Sequence, residues 1–174
     1  MSKPQIISGL EGVIAAETAL SSVDGQKGEL IIAGFPVDEL ANNATYEEAV
    51  YLLWNGDLPD QKQLQQFRDS LAARRALPPA TLRLLQEAAQ AQIPPMDALR
   101  MAAGTLDLDA AEEPQAHSPA QAEALVARFA TIVAAYHRLR TGKQVLEPRT
   151  DLSHSANYLY MLHGHEPQDR KSVV

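Results

Sequence analysis

Histidine is the side chain best suited to acid–base work near neutral pH, and this sequence has five. His163 and His165 flank a glycine. A spacing of two is neither the i, i+4 pair of a helical metal site nor a zinc-finger pattern, so they read as an exposed helix end. His137 stands between Tyr136 and Arg138 on a long helical stretch and reads as structural. His117 precedes a helix cap in a proline-rich loop, with nothing nearby to activate it. His154 falls in the first turn of a helix, where the dipole favours the uncharged imidazole. Spacing picks out no partner for it, so packing is its expected role.

Other chemistry fails sooner. Gly9-Leu10-Glu11-Gly12 lacks the third glycine of a dinucleotide fingerprint and the Gly-Lys-Ser/Thr ending of a P-loop. No serine sits in a Gly-x-Ser-x-Gly elbow. Glu47-Glu48 and Glu112-Glu113 are adjacent carboxylates and read as solvated surface. Arg100, Arg128, Arg138 and Arg140 would bind an anion only if the fold clustered them. Zero cysteines exclude disulfides, thiolate metal sites, iron–sulfur clusters and a thiol nucleophile, and fit a reducing cytoplasm.

The elements that would position these residues are mostly helical. The 174 residues carry a net charge of −7, which argues against nucleic acid or an anionic membrane as the main partner. Hydrophobic residues at 45% suffice for a packed core, while aromatics at 5% leave alanine and leucine to build it, a bias toward helix. No apolar run approaches the roughly 20 residues of a membrane span. Met1 to Leu10 lacks a basic segment followed by an apolar core, so no secretory signal is expected.

Asp24-Gly25-Gln26-Lys27-Gly28 places two glycines able to take positive φ between Ser22-Val23 and Leu30-Ile31-Ile32, which predicts a short hairpin. Pro36 limits its second strand, and one helical turn is expected over Val37 to Ala41. Thr45 with Glu48, and Asp60 with Gln63, are capping boxes; Asn55-Gly56 ends the first of those helices. Pro78-Pro79 and Pro94-Pro95 introduce two more helices, the second running from Met96 to about Leu106. An exposed loop is expected over Asp107 to Ala116. Ser118-Pro119-Ala120-Gln121 then opens a long helix whose Leu125, Phe129, Ile132, Val133, Tyr136 and Leu139 mark one buried face, with Gly142 as its stop. Asp151 or Ser153 starts the last helix, which ends near His163-Gly164. The fold class read from this is mainly α, six or seven helices behind a small β element.

The order and spacing of several segments resemble one family, the citrate synthases, and within it the shorter bacterial and archaeal members. The segments are Gly9 to Thr18, Val23-Asp24-Gly25 with Gly28 and Leu30, and Gly34-Phe35-Pro36-Val37 with Glu39-Leu40-Ala41. They continue with Thr45-Tyr46-Glu47-Glu48, Tyr51 to Pro59, Pro95 to Arg100, Ala130 to Arg138, and Asp151 to Leu162. The resemblance implies a citrate synthase-like multi-helical fold with a small N-terminal β-hairpin. It divides the chain into a β/turn segment over residues 1–44 and a helical part of the large domain over residues 45–168. It also implies a cytoplasmic acyltransferase that condenses acetyl-CoA with oxaloacetate to citrate and CoA and works as a homodimer, with no cofactor beyond its substrates and no metal. In such enzymes an aspartate takes the methyl proton, one histidine stabilises the enol, a second assists at the oxaloacetate carbonyl, and arginines hold the carboxylates. A thioester α-proton is weakly acidic, so base and enol stabiliser must act together.

The departures decide what is transferred. The family's Leu-His-Ala-Asp/Glu-His, Gly-Pro-x-His-Gly-Gly-Ala-Asn and Gly-His-Arg segments and its catalytic aspartate have no counterpart before Val174. No catalytic, cofactor-binding or metal residue is therefore assigned, and the resemblance implies less than half of a family member. Pro94 stands where many relatives have histidine. Residues 169–174, Asp-Arg-Lys-Ser-Val-Val, break from the family pattern and match one reading frame of a common sequencing adapter (GAT CGG AAG AGC GTC GTG), so a non-native tail is expected. Such a piece should be inactive and poorly folded or aggregating alone. At about 25 cal/mol per Å², several hundred Å² of uncovered apolar surface is comparable with a net stability of about 5–15 kcal/mol. The alternatives are a 2-methylcitrate synthase fragment and a non-catalytic helical interaction module.

Overall fold

The computed structural model describes residues 17–106 and 118–168. The stretch from Gly9 to Ala16, the loop around His117 with Glu112-Glu113, and the 169–174 tail lie outside the described residues. The hairpin forms as expected. Strand β1 (Ser21–Asp24) pairs antiparallel with β2 (Glu29–Ile32), Asp24 opposite Glu29 across the turn. The Asp24 carboxylate accepts the N–H groups of Gln26 and Lys27, and of the two turn glycines only Gly28 uses a positive φ, +70°. A third strand was not foreseen. At Ala33-Gly34 both φ angles are positive, which folds Phe35–Pro36 (β3) back onto β2. Proline is tolerated there because β3 is an edge strand.

Seven helices follow among the described residues: α1 (Val37–Asn43), α2 (Tyr46–Asn55), α3 (Gln61–Ala73), α4 (Pro79–Gln90), α5 (Pro95–Ala103), α6 (Pro119–Arg140) and α7 (His154–His163). Their ends follow the sequence signals. Both capping boxes close, Thr45 with Glu48 and Asp60 with Gln63. Ser118 and Ser153 accept the N–H groups of Gln121 and Ala156, which settles the start of α7 at Ser153 rather than Asp151. Helix α5 is shorter than expected, giving way to a turn at Gly104.

Helix α6 is the centre of the molecule and packs against α3, α4, α5 and α7. Its buried face joins two apolar clusters. In the larger, Ile132, Ala135 and Tyr136 meet Leu85, Ala88 and Ala89 of α4 and Ala98 and Ala102 of α5. In the smaller, Ala127 meets Phe67 and Leu71 of α3. The buried face differs from the predicted stripe. Ile132 and Tyr136 lie inside, but Leu125, Phe129 and Val133 are exposed, and Ala127, Thr131, Ala134 and Ala135 take the interior places. Small side chains let neighbouring helices approach α6 closely, so the alanine side is the one the present helices cover. The larger residues flank it uncovered.

Candidate functional site

The described residues bring together one buried polar cluster, at the junction of α2, the end of α3 and the start of α7. Glu47, Arg75, His154 and Asn157 are each at least nine-tenths buried within it. The Glu47 carboxylate accepts the backbone N–H of His154 at 2.8 Å, so a side chain of α2 serves the positive end of α7. The Arg75 guanidinium donates to the carbonyls of Leu152, at 2.9 Å, and Arg149. Its own carbonyl accepts the Thr131 hydroxyl of α6. Asn157 Oδ1 accepts the N–H of Arg149 at 2.7 Å. The segment leading into α7 is thus fastened from three directions by side-chain bonds to its backbone.

His154 is the titratable member without a bonded partner at one ring nitrogen. Its ring stacks on Tyr46 with centroids 4.6 Å apart and planes 11° apart, and its Nδ1 is buried and unpartnered. Burial first, then the positive charge of Arg75, holds its proton affinity below the usual histidine range, against the pull of Glu47. The imidazole is therefore uncharged at neutral pH, as the helix position predicted. Burial likewise lowers the proton affinity of Arg75, opposed by Glu47 and Asp151, and leaves it a cation.

Glu47 corrects the sequence reading. Read with Glu48 as solvated surface, it is 2% exposed, whereas Glu48 is half-buried in its capping box. The available signal was its helical phase: Tyr51, four residues on, packs against the smaller apolar cluster. Arg75 lies just past the end of α3, where no periodicity applies, and nothing in the sequence marked it.

The remaining candidates do not converge. His163 and His165 stack at 5.9 Å on an exposed turn, and among the described residues no group of three or more histidine, aspartate or glutamate side chains could hold a metal ion. His137 is exposed and lines a mostly apolar groove of about 480 Å³ with Met96, Leu99, Val133 and Arg140. The four arginines form no anion site. Arg100 pairs with Asp97 on its own helix, and Arg128 donates to the carbonyls of Ala76 and Leu106. Arg138 donates to those of Gln144 and Leu162, and Arg140 to the Gln92 side chain. No described helix is long and apolar enough to cross a membrane.

What the fold and cluster define is a helical scaffold knitted together by buried polar bonds. Comparison with known proteins makes this specific. Residues 9–174 match the family described as citrate synthase, C-terminal domain. A citrate synthase of Haloferax volcanii is 39% identical over 168 residues, covering 92% of this chain and 44% of that protein. One of Acidithiobacillus ferridurans is 37% identical over 182 residues, covering 100% and 47%. A 2-methylcitrate synthase of Mycobacterium tuberculosis is 34% identical over 171 residues, covering 95% and 42%. Among solved structures, citrate synthase from Pyrobaculum aerophilum superposes with a TM-score of 0.83 at 34% identity, over 99% of this chain and 46% of that one. The chain belongs to the citrate synthase family, and it spans less than half the length of the relatives it matches.

Proposed function

We propose that this chain is part of a citrate synthase, the enzyme that joins acetyl-CoA to oxaloacetate to give citrate and CoA, and that the 174 residues alone do not catalyse it. The observation that supports this most is 39% identity to a citrate synthase along 92% of the chain. Within that reading, residues 45–168 are a helical part of the large domain, and the work of the described residues is to carry and orient a cleft completed by other residues. Leu125, Phe129 and Val133 of α6, with Met96 and Met101 of α5, are exposed apolar side chains that further helices or a second subunit would cover. The full enzyme is a cytoplasmic homodimer in this reading, with acetyl-CoA and oxaloacetate as substrates and no metal.

A second reading, a 2-methylcitrate synthase, has the support of relatives of that name at 34% identity. The higher identity to citrate synthases favours the first. The test joins residues 1–168 to the remaining segment of the Haloferax volcanii relative and follows CoA thiol release with acetyl-CoA and oxaloacetate. Turnover by the chimera together with silence from the 174-residue chain supports the proposal. A folded but inactive chimera favours a non-catalytic helical module, and turnover by the 174 residues unaided overturns the assignment.

A further inference from the structure

We propose that the Glu47–Arg75–His154 cluster is an acid-sensitive latch: protonation of the His154 imidazole loosens α7 from α2 and α3 before the rest of the molecule gives way. The inference goes beyond the enzyme reading and does not depend on it. It starts from how α7 is held. Of the four residues that α7 buries, His154 and Asn157 are polar, and neither apolar cluster contains a residue of α7. Helix α7 also packs along α6, but its seat against α2 and α3 relies on the Glu47 bond to its first N–H, the Arg75 bonds to the carbonyls just before it and the Asn157 bond to the Arg149 N–H, with Arg138 of α6 at its far end.

The charged and titratable groups facing His154 come from every neighbouring element. Helix α2 supplies the Tyr46 ring and the Glu47 carboxylate, and the end of α3 supplies Arg75. The segment before α7 supplies Arg149 and Asp151, which pair with each other at the surface. Arg138 of α6 and His163 lie at the opposite end of α7. Glu47 is the group that would welcome a second positive charge, and one of its oxygens already serves the backbone N–H. Burial, Arg75 and the positive end of α7 oppose it, and the stacked Tyr46 ring leaves Nδ1 no bonded acceptor for a new proton.

Linkage then fixes the sign. The folded imidazole resists protonation, whereas the released one takes a proton near its ordinary value of 6.5. The contribution of His154 to holding α7 is complete above that value and declines as pH falls through it, until the folded group titrates in turn. One pH unit below 6.5, the released state gains up to about tenfold in population.

Hydrogen exchange on the folded chimera that carries residues 1–168, whether or not it turns over substrate, at pH 7.5 and 5.5 and corrected for intrinsic exchange, tests this. The expected result is a roughly tenfold loss of protection over residues 154–163 at pH 5.5, with α4 and α5 changing less than twofold. His154→Gln should abolish that difference. Equal loss in α4 and α7, or an unchanged pH response in His154→Gln, overturns the latch. If the variant does not fold, NMR titration of the wild-type imidazoles decides. A midpoint for His154 below the ordinary histidine value of 6.5 supports the proposal, and one at or above it refutes it.

Discussion

Two adjacent residues of α6 should behave as though they belonged to different proteins. Ile132 is 1% exposed in the larger apolar cluster, packed among residues of α4 and α5, while Val133 is 39% exposed on the uncovered flank. Ile132→Ala removes three buried carbons, about 2.4 kcal/mol of transfer free energy at ~0.8 per carbon, and the cavity left behind raises the cost to about 3–4 kcal/mol. Val133→Ala removes two carbons already in partial contact with water and should cost about 0.5 kcal/mol. For a chain of this length the first change lowers Tm by about 6–16 °C and the second by no more than about 2 °C. Circular dichroism melts in dilute solution, repeated over a tenfold concentration range to separate self-association from unfolding, measure both. Comparable losses at the two positions would refute the placement of the core on the small-residue side of α6.

Two cheaper substitutions probe helix ends. Thr45→Ala removes the side-chain acceptor for the Glu48 N–H and half of the α2 capping box, and should cost about 1 kcal/mol by urea denaturation with an unchanged m-value. Gly164→Ala forces an L side chain into φ +93° and brings its Cβ to 3.4 Å from Arg138 Nη1, so a loss of about 1–2 kcal/mol is expected; Gly25→Ala, with open space and no positive φ, should change stability by less than about 0.5 kcal/mol.

Local signals were legible where a single residue controls a single backbone group. Thr45, Asp60, Ser118 and Ser153 cap the helices they precede, and Gly56, Gly142 and Gly164 end theirs at positive φ, because capping is decided within four residues of chain. The sheet's third strand was not legible, since Pro36 argues against a strand unless the Ala33-Gly34 turn is known to place it at an edge. The buried side of α6 was misread because periodicity marks which residues share a face and not which face finds a partner. Leu125, Phe129 and Val133 are as apolar as Ile132, and only the positions of α4 and α5 separate them. The polar cluster was legible in one member. His154 announced its uncharged form through its place in a helix turn, whereas its link to Glu47 spans 107 positions of sequence and Arg75 lies outside any periodic segment.

Three arginines share an unusual employment. Arg75, Arg128 and Arg138 each send a guanidinium to two main-chain carbonyl oxygens, all but that of Leu162 in the stretches between helices, joining Arg149 to Leu152, Ala76 to Leu106, and Gln144 to Leu162. A chain without cysteine has no covalent cross-link for its connections, and here a planar fork of donors takes that place. Guanidinium keeps its proton through the whole range in which proteins live, so these fasteners do not themselves titrate. Any softening of the molecule by mild acid has to enter elsewhere, through imidazole or carboxyl groups.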